Sequence, residues 1–113
     1  MKKLVIVLLV SLFGFAVQAQ QKKNKNAKAD VEVNGNCEMC KKRIEKAAYS
    51  VVGVKSAVWH SDDQMLHLVY NEQKCSTTDV EKAIAKAGHD TKGVKAAEAD
   101  YNSLHGCCQY ERK

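Results

Sequence analysis

Two cysteines, Cys37 and Cys40, stand three positions apart between a run of alternating apolar residues and a stretch of helical periodicity. If Cys40 lies in the first helical turn and Cys37 in the loop before it, both sulfurs face one point above the helix N-terminus. Backbone N–H groups there have no partner within the helix and the helix dipole favours negative charge, so thiolates are stabilised. Lys41, Lys42 and Arg43 add positive charge beside them. Such a pair is either a clamp for a soft metal ion or a redox dithiol. Cys75, Cys107, Cys108, His89 and His105 extend the set of candidates.

The elements that must position this pair follow from periodicity. Ala29 to Val33 alternates apolar and polar residues, as a half-buried strand does. From Glu38 to Tyr49, Ile44, Ala47 and Ala48 recur at helical spacing, and Gly53 closes the segment. Val54 to His60 and Met65 to Tyr70 read as a hairpin joined by Ser61-Asp62-Asp63-Gln64. Ala57 and Trp59 share one face of its first strand; Leu66, Leu68 and Tyr70 share one face of its second. Thr78-Asp79-Val80-Glu81 matches a capping box opening a second helix, with an apolar stripe of Val80, Ala83, Ile84 and Ala87 and an end at Gly88. His89 to Val94 is expected to form a fourth strand and Ala96 to Leu104 a last short helix. The order β-α-β-β-α-β predicts an α+β, ferredoxin-like sandwich, with two helices on a four-stranded antiparallel sheet and a C-terminal tail containing cysteines.

Around that domain, 29–95, the chain of 113 residues carries three other segments. Lys2 and Lys3, an apolar run from Leu4 to Val17 and small residues up to Ala19 describe a secretory signal peptide, 1–19, cut after Ala19. The run falls short of the roughly 20 apolar residues of a membrane span, so no stable insertion is expected after cleavage and the mature protein is expected in a periplasm or outside the cell. Residues 20–28 are polar and low in complexity, a flexible leader. Residues 96–113 form a helix and tail with the pattern His105-x-Cys107-Cys108. Removing 1–19, which holds two lysines and no acid, lowers the formal charge from +5 to +3. That mild excess suits docking to an acidic protein face and is too small for nucleic acid. Five cysteines are an odd number with one vicinal pair, which favours ligand chemistry over a disulfide framework.

Gly35 with Cys37 and Cys40, then Ile44, Ala47-Ala48, Gly53-Val54, Leu68-Val69-Tyr70 and Ala83-Ile84 before Ala87-Gly88, form a pattern across Ala29 to Lys95. In it the sequence resembles the heavy-metal-associated domain family. That family includes small copper chaperones, the N-terminal domains of copper-transporting P-type ATPases and the periplasmic mercury-binding protein. The resemblance implies a thiolate site at Cys37 and Cys40 for Cu(I), with Hg(II) or Zn(II) as alternatives. It also implies a partner that receives the ion, either a metal-transporting membrane protein or another metal-binding domain. The chain departs from the family at three places. Family members usually carry Gly-Met-(Thr or His)-Cys, whereas Gly35 is followed by Asn36 and Cys37, so the loop is one residue shorter and lacks the methionine. His89 stands beside the metal loop where bacterial members often have tyrosine. The Cys107-Cys108 tail lies outside the family domain.

Thiolate sulfur selects Cu(I), Zn(II) and comparable soft ions. Cu(I) and Hg(II) tolerate two thiolates, as the resemblance implies, while structural Zn(II) wants four ligands. A thioredoxin-like dithiol relies on a cis-proline, and the chain has no proline. Adjacent cysteines cannot both point at one small ion without an awkward backbone, but one of Cys107 and Cys108, with His105, could fold over the Cys37–Cys40 loop. Alternatively the tail binds a second ion, links two chains through metal or a disulfide, or is simply an exposed, oxidation-prone end. His89 is a candidate third ligand or hydrogen-bond partner. Cys75 reads as a small half-buried residue, and His60 and His67 as hairpin surface. No catalytic constellation is apparent, so the expectation is a carrier and not an enzyme.

Overall fold

A computed structural model describes residues 23–112; the segments expected as a signal peptide, 1–19, and as the start of a leader lie outside the described residues. Strand β1 (Ala27–Glu32) starts two residues earlier than the alternation suggested, because Ala27 is itself buried. Strands β2 (Val54–His60) and β3 (Met65–Tyr70) match their expected bounds. The three pair antiparallel in the order β1-β3-β2. Their register sets Val31 and Trp59 on either side of Leu66, and Ala29 and Ala57 on either side of Leu68. Pleating sends these side chains to one face, where Ala57, Trp59, Leu66 and Leu68 are buried.

Helix α1 (Glu38–Tyr49) covers that face with Cys40, Ile44 and Ala48, a stripe at four-residue intervals. Cys40 is therefore the first buried residue of the packing stripe, and core packing fixes where its side chain goes. Helix α2 (Thr77–Lys86) buries Val80, Ile84 and Ala85. Its capping box is not the expected Thr78–Glu81. Ser76 is the N-cap; its Oγ accepts from the Asp79 N–H, and the Asp79 carboxylate accepts from the Ser76 N–H at 2.9 Å. A carboxylate three residues after the serine closes the box as glutamate would, which starts the helix earlier. Gly88 follows α2 with φ +108, as the expected helix end requires.

The sheet corrects the expectation of four strands. After Gly88 the chain makes a single bridge, Val33 to Thr91, flanked by Asn34 N–H donating to the Asp90 carbonyl and Lys92 N–H to the Glu32 carbonyl. There the ladder stops, because Thr91 turns the chain back on itself. Its N–H and hydroxyl both donate to the Val94 carbonyl, and its Oγ1 accepts the Val94 N–H.

Nor is the C-terminal segment a loose appendage. Helix α3 (Glu98–Asn102) and a 3-10 turn (Gly106–Cys108) lead the chain back over the open end of the sandwich. Leu104, Cys108 and Tyr110 join the buried core. The approach is close: a Cβ on Gly88 would sit 2.8 Å from the Asp100 carbonyl oxygen and 2.9 Å from Leu104 Cδ2. No helix among the described residues is long and apolar enough to cross a membrane.

Candidate metal centre

Cys37 is the N-cap of α1, in extended conformation, and Cys40 lies in the first turn. The loop leading to them is pinned from two sides. Gln64, at the β2–β3 turn with φ +58, accepts the Val33 N–H on its carbonyl and the Gly35 N–H on its side-chain oxygen, both at 2.9 Å. From below, Trp59 is fully buried and its indole N–H donates to the Val33 carbonyl at 2.9 Å. A Cβ on Gly35 would lie 3.1 Å from both the Trp59 ring and Cys40 Cβ, so any larger residue would push the ring or the helix aside by a few tenths of an ångström. The indole thus supports a loop that lacks the family's methionine.

The Cys37 and Cys40 sulfurs lie 3.6 Å apart. The tail adds a third: Cys108 Sγ is 3.7 Å from Cys37 Sγ, and the three sulfurs all lie within 4.8 Å of one another. Cys40 and Cys108 are buried and Cys37 is half-buried. The thiols are unequal. Attraction to the Cys40 backbone N–H, opposed by burial, brings the Cys37 pKa down to about 7. Burial pushes Cys40 up to about 11. A helix N-terminus that stabilises the outer thiolate and a core that keeps the inner thiol protonated account for the difference.

The tail is held by an anchor downstream of Cys108. Tyr110 is buried, stacks on His89 with ring centroids 5.5 Å apart, donates its hydroxyl to the Gly88 carbonyl and accepts the Asp90 N–H at 2.7 Å. Arg112 grips the buried Asp90 carboxylate through two hydrogen bonds of 2.8 and 2.7 Å. It also lies over the Tyr101 ring, and the Tyr101 hydroxyl donates to the Tyr110 carbonyl. Upstream, the Asn36 amide reaches the Cys107 carbonyl at 3.5 Å.

The remaining candidates lie elsewhere. His89 is buried but is not in the sulfur group: Nδ1 donates to the Asn34 carbonyl at 2.8 Å, and Nε2 is buried without a partner. Burial lowers its pKa against the pull of that carbonyl, which favours neutral imidazole. Its place is behind the loop, holding main chain. His105 is exposed and gives the 3-10 turn only a carbonyl, which accepts the Cys108 N–H. Cys107 is exposed and its sulfur stands outside the three-sulfur group, though only 3.9 Å from Cys108 Sγ. Cys75 is buried against Gly53, with burial raising its pKa. His67 contacts Asp30 at 2.7 Å on the open sheet face. Lys41 is engaged by Glu45 and the Trp59 carbonyl, which leaves Lys42, Arg43 and Lys46 to line a shallow surface depression with Met39. Sequence reasoning overlooked Asp90, Tyr110 and Arg112, whose contacts span 20 to 22 residues and leave no local pattern to read.

A scan of protein-family models finds no match. Among curated proteins, the copper chaperone CopZ of Staphylococcus epidermidis is 32% identical over 63 residues, which is 55% of this chain and 93% of that protein. Among solved structures, a CopZ metallochaperone superposes with a TM-score of 0.56 at 26% identity, over 57% of this chain and 98% of the other. The Cu(I)-loaded N-terminal domain of a potential copper-translocating P-type ATPase from Bacillus subtilis gives 0.56 at 29% identity, over 59% and 85%.

Proposed function

The chain belongs to the heavy-metal-associated domain family, and from that membership we propose that it carries a soft metal ion, Cu(I) first, on the thiolates of Cys37, Cys40 and Cys108. The observation that supports this most is the sulfur triangle. With metal–sulfur distances of about 2.3 Å, a trigonal ion spaces its sulfurs about 4 Å apart, while a linear one needs about 4.6 Å. The Cys37–Cys40 and Cys37–Cys108 separations, 3.6 and 3.7 Å, are too short for a linear ion and suit one that takes more than two sulfurs. An all-sulfur set of low coordination number suits Cu(I), and Hg(II) by the same softness. Zn(II) would want a fourth ligand, and neither histidine candidate stands in the group.

Release proceeds by exchange. Cys37 is the accessible ligand and, with a pKa of about 7, the one most readily present as thiolate. A partner thiolate approaches the ion on that side, its bond to the ion forming as the Cys37 bond breaks, with no change in oxidation state. Cys40 and Cys108, both buried, let go later. Lys42, Arg43 and Lys46 flank the exposed side and suit a partner with an acidic face, a metal-transporting membrane protein or another metal-binding domain. The basic and apolar composition of residues 1–19 supports action outside the cytoplasm.

The test is a Cu(I) titration against a competing chelator under reducing conditions. Replacing Cys37 and Cys40 together by serine should abolish the tight equivalent. Cys108→Ser alone should weaken it by about 10–100-fold, at least the loss seen when outer-shell partners of a metal are removed. Unchanged affinity in the double variant would refute the carrier reading; unchanged affinity in Cys108→Ser would reduce the site to two sulfurs.

A further inference from the structure

The sulfur triangle does not exhaust the sulfur on this face. Cys107 Sγ lies 3.9 Å from Cys108 Sγ and 3.9 Å from Met39 Sδ. Five sulfurs therefore run in one chain of short steps: Met39, Cys107, Cys108, Cys37, Cys40. Its outer end is exposed, with Met39 at 44% and Cys107 exposed, while Cys108 and Cys40 are at 0% and Cys37 between them is half-buried. The 3-10 turn divides the vicinal pair, one thiol to the core and one to the surface, so the two cannot serve a single ion equally. They can serve two ions that share the sulfur between them.

We propose that Cys107 and Met39, with Cys108 as the bridging sulfur, form an outer site that takes a second soft monovalent ion of the Cu(I) type. The inference rests on the inner site at Cys37, Cys40 and Cys108. The two spacings that Cys107 makes, to Cys108 and to Met39, are each 3.9 Å, close to the roughly 4 Å that a trigonal ion sets between its sulfurs on metal–sulfur distances of about 2.3 Å. The donors are of the right kind, since thiolate and thioether both select Cu(I). Loading replaces the Cys107 thiol proton, which leaves to solvent, by a metal–sulfur bond, and no electron is transferred. One monovalent cation enters with one new thiolate, so the net charge of the partly buried cluster does not grow, and burying charge is what such a cluster must avoid. Met39 comes from the first turn of α1 and Cys107 from the tail. The outer ion would thus tie the two together.

The experiment is native mass spectrometry of the full chain, reduced and anaerobic, titrated with Cu(I) from a chelator buffer. The wild type should load two ions in sequence. Cys107→Ala should load one, with the affinity of the first unchanged, and Met39→Leu should load its second ion only at higher free Cu(I). A wild type that stops at one ion, a C107A chain that still takes two, or a second ion seen only in dimers would overturn the outer site; an M39L chain that loads like wild type would overturn the thioether's part. The Cys37→Ser, Cys40→Ser double variant separates the two readings. Retention of the tight first equivalent there counts against the inner site, whereas the Cys107 dependence of the second equivalent bears on the outer one alone.

Discussion

Cys37 and Cys40 share a motif but not an environment. Cys37 stands at the head of α1 beside the Cys40 N–H, and its pKa falls to about 7; Cys40 begins the buried stripe of the same helix, and burial raises its pKa to about 11. Since the thiolate is the nucleophile, alkylation of the reduced, metal-free protein should separate them. Iodoacetamide is expected to label Cys37 first, its rate rising with a midpoint near pH 7. Cys107, exposed but with its pKa raised by its hydrogen bond to Cys108, should follow at higher pH, and Cys40 last. Peptide mapping of a labelling time course checks the order; Cys107 reacting ahead of Cys37 at neutral pH would contradict it. The placement of Cys37 at the N-cap and Cys40 in the first turn was legible in the sequence, because a cysteine pair preceding a helical stripe has few other arrangements. That Cys108 and not His105 or His89 closes on them was not, since it depends on where a turn 70 residues away points each side chain.

At the scale of elements, helix α1 and strands β2 and β3 end where local periodicity says they should, each having a pattern of its own and a partner adjacent in sequence. The expected fourth strand fails because Thr91 forms a turn with Val94 before a second ladder pair can form. The tail defeats sequence reading for a different reason: its anchors are non-local. Arg112 with Asp90, and Tyr110 with Gly88 and His89, are pairings that no periodicity encodes. The Arg112–Asp90 pair is asymmetric, with the carboxylate fully buried and the arginine side chain 27% exposed. Removing the cation leaves a buried charge unpaired, which in general costs roughly 3–5 kcal/mol, and the exposed arginine places this case at the low end. Arg112→Ala should therefore release the tail before the sandwich unfolds. Limited proteolysis should then cut near residues 103–112, and Cu(I) affinity should drop to that of Cys108→Ser. A variant with wild-type protease resistance and wild-type affinity would show that the aromatic contacts hold the tail unaided.

For the whole molecule, two buried groups tie stability to pH in the same direction. The pKa of His89 is depressed in the folded protein, so the unfolded chain binds the proton more readily; its contribution is complete above the ordinary value of 6.5 and fades as pH falls below it. For Asp90, burial raises the pKa but the Arg112 and Ala96 hydrogen bonds outweigh it, leaving the carboxyl below 3.8. Its contribution holds above that value and is lost as pH falls through it. The metal-free protein should accordingly lose thermal stability in two steps on acidification. His89→Gln should flatten the first, between about pH 7 and 5, and leave the second. A melting temperature indifferent to pH above 5 in the wild type would contradict the first step. The three-sulfur arrangement has one more consequence, in the order of synthesis. Cys108 enters the chain 71 residues after Cys37. A nascent chain thus presents Cys37 and Cys40 as a bare pair well before the third sulfur exists. An ion captured early would sit at a weaker, more exchangeable site until the tail closed, so the age of the chain, and not only its surroundings, would set how firmly it holds its cargo.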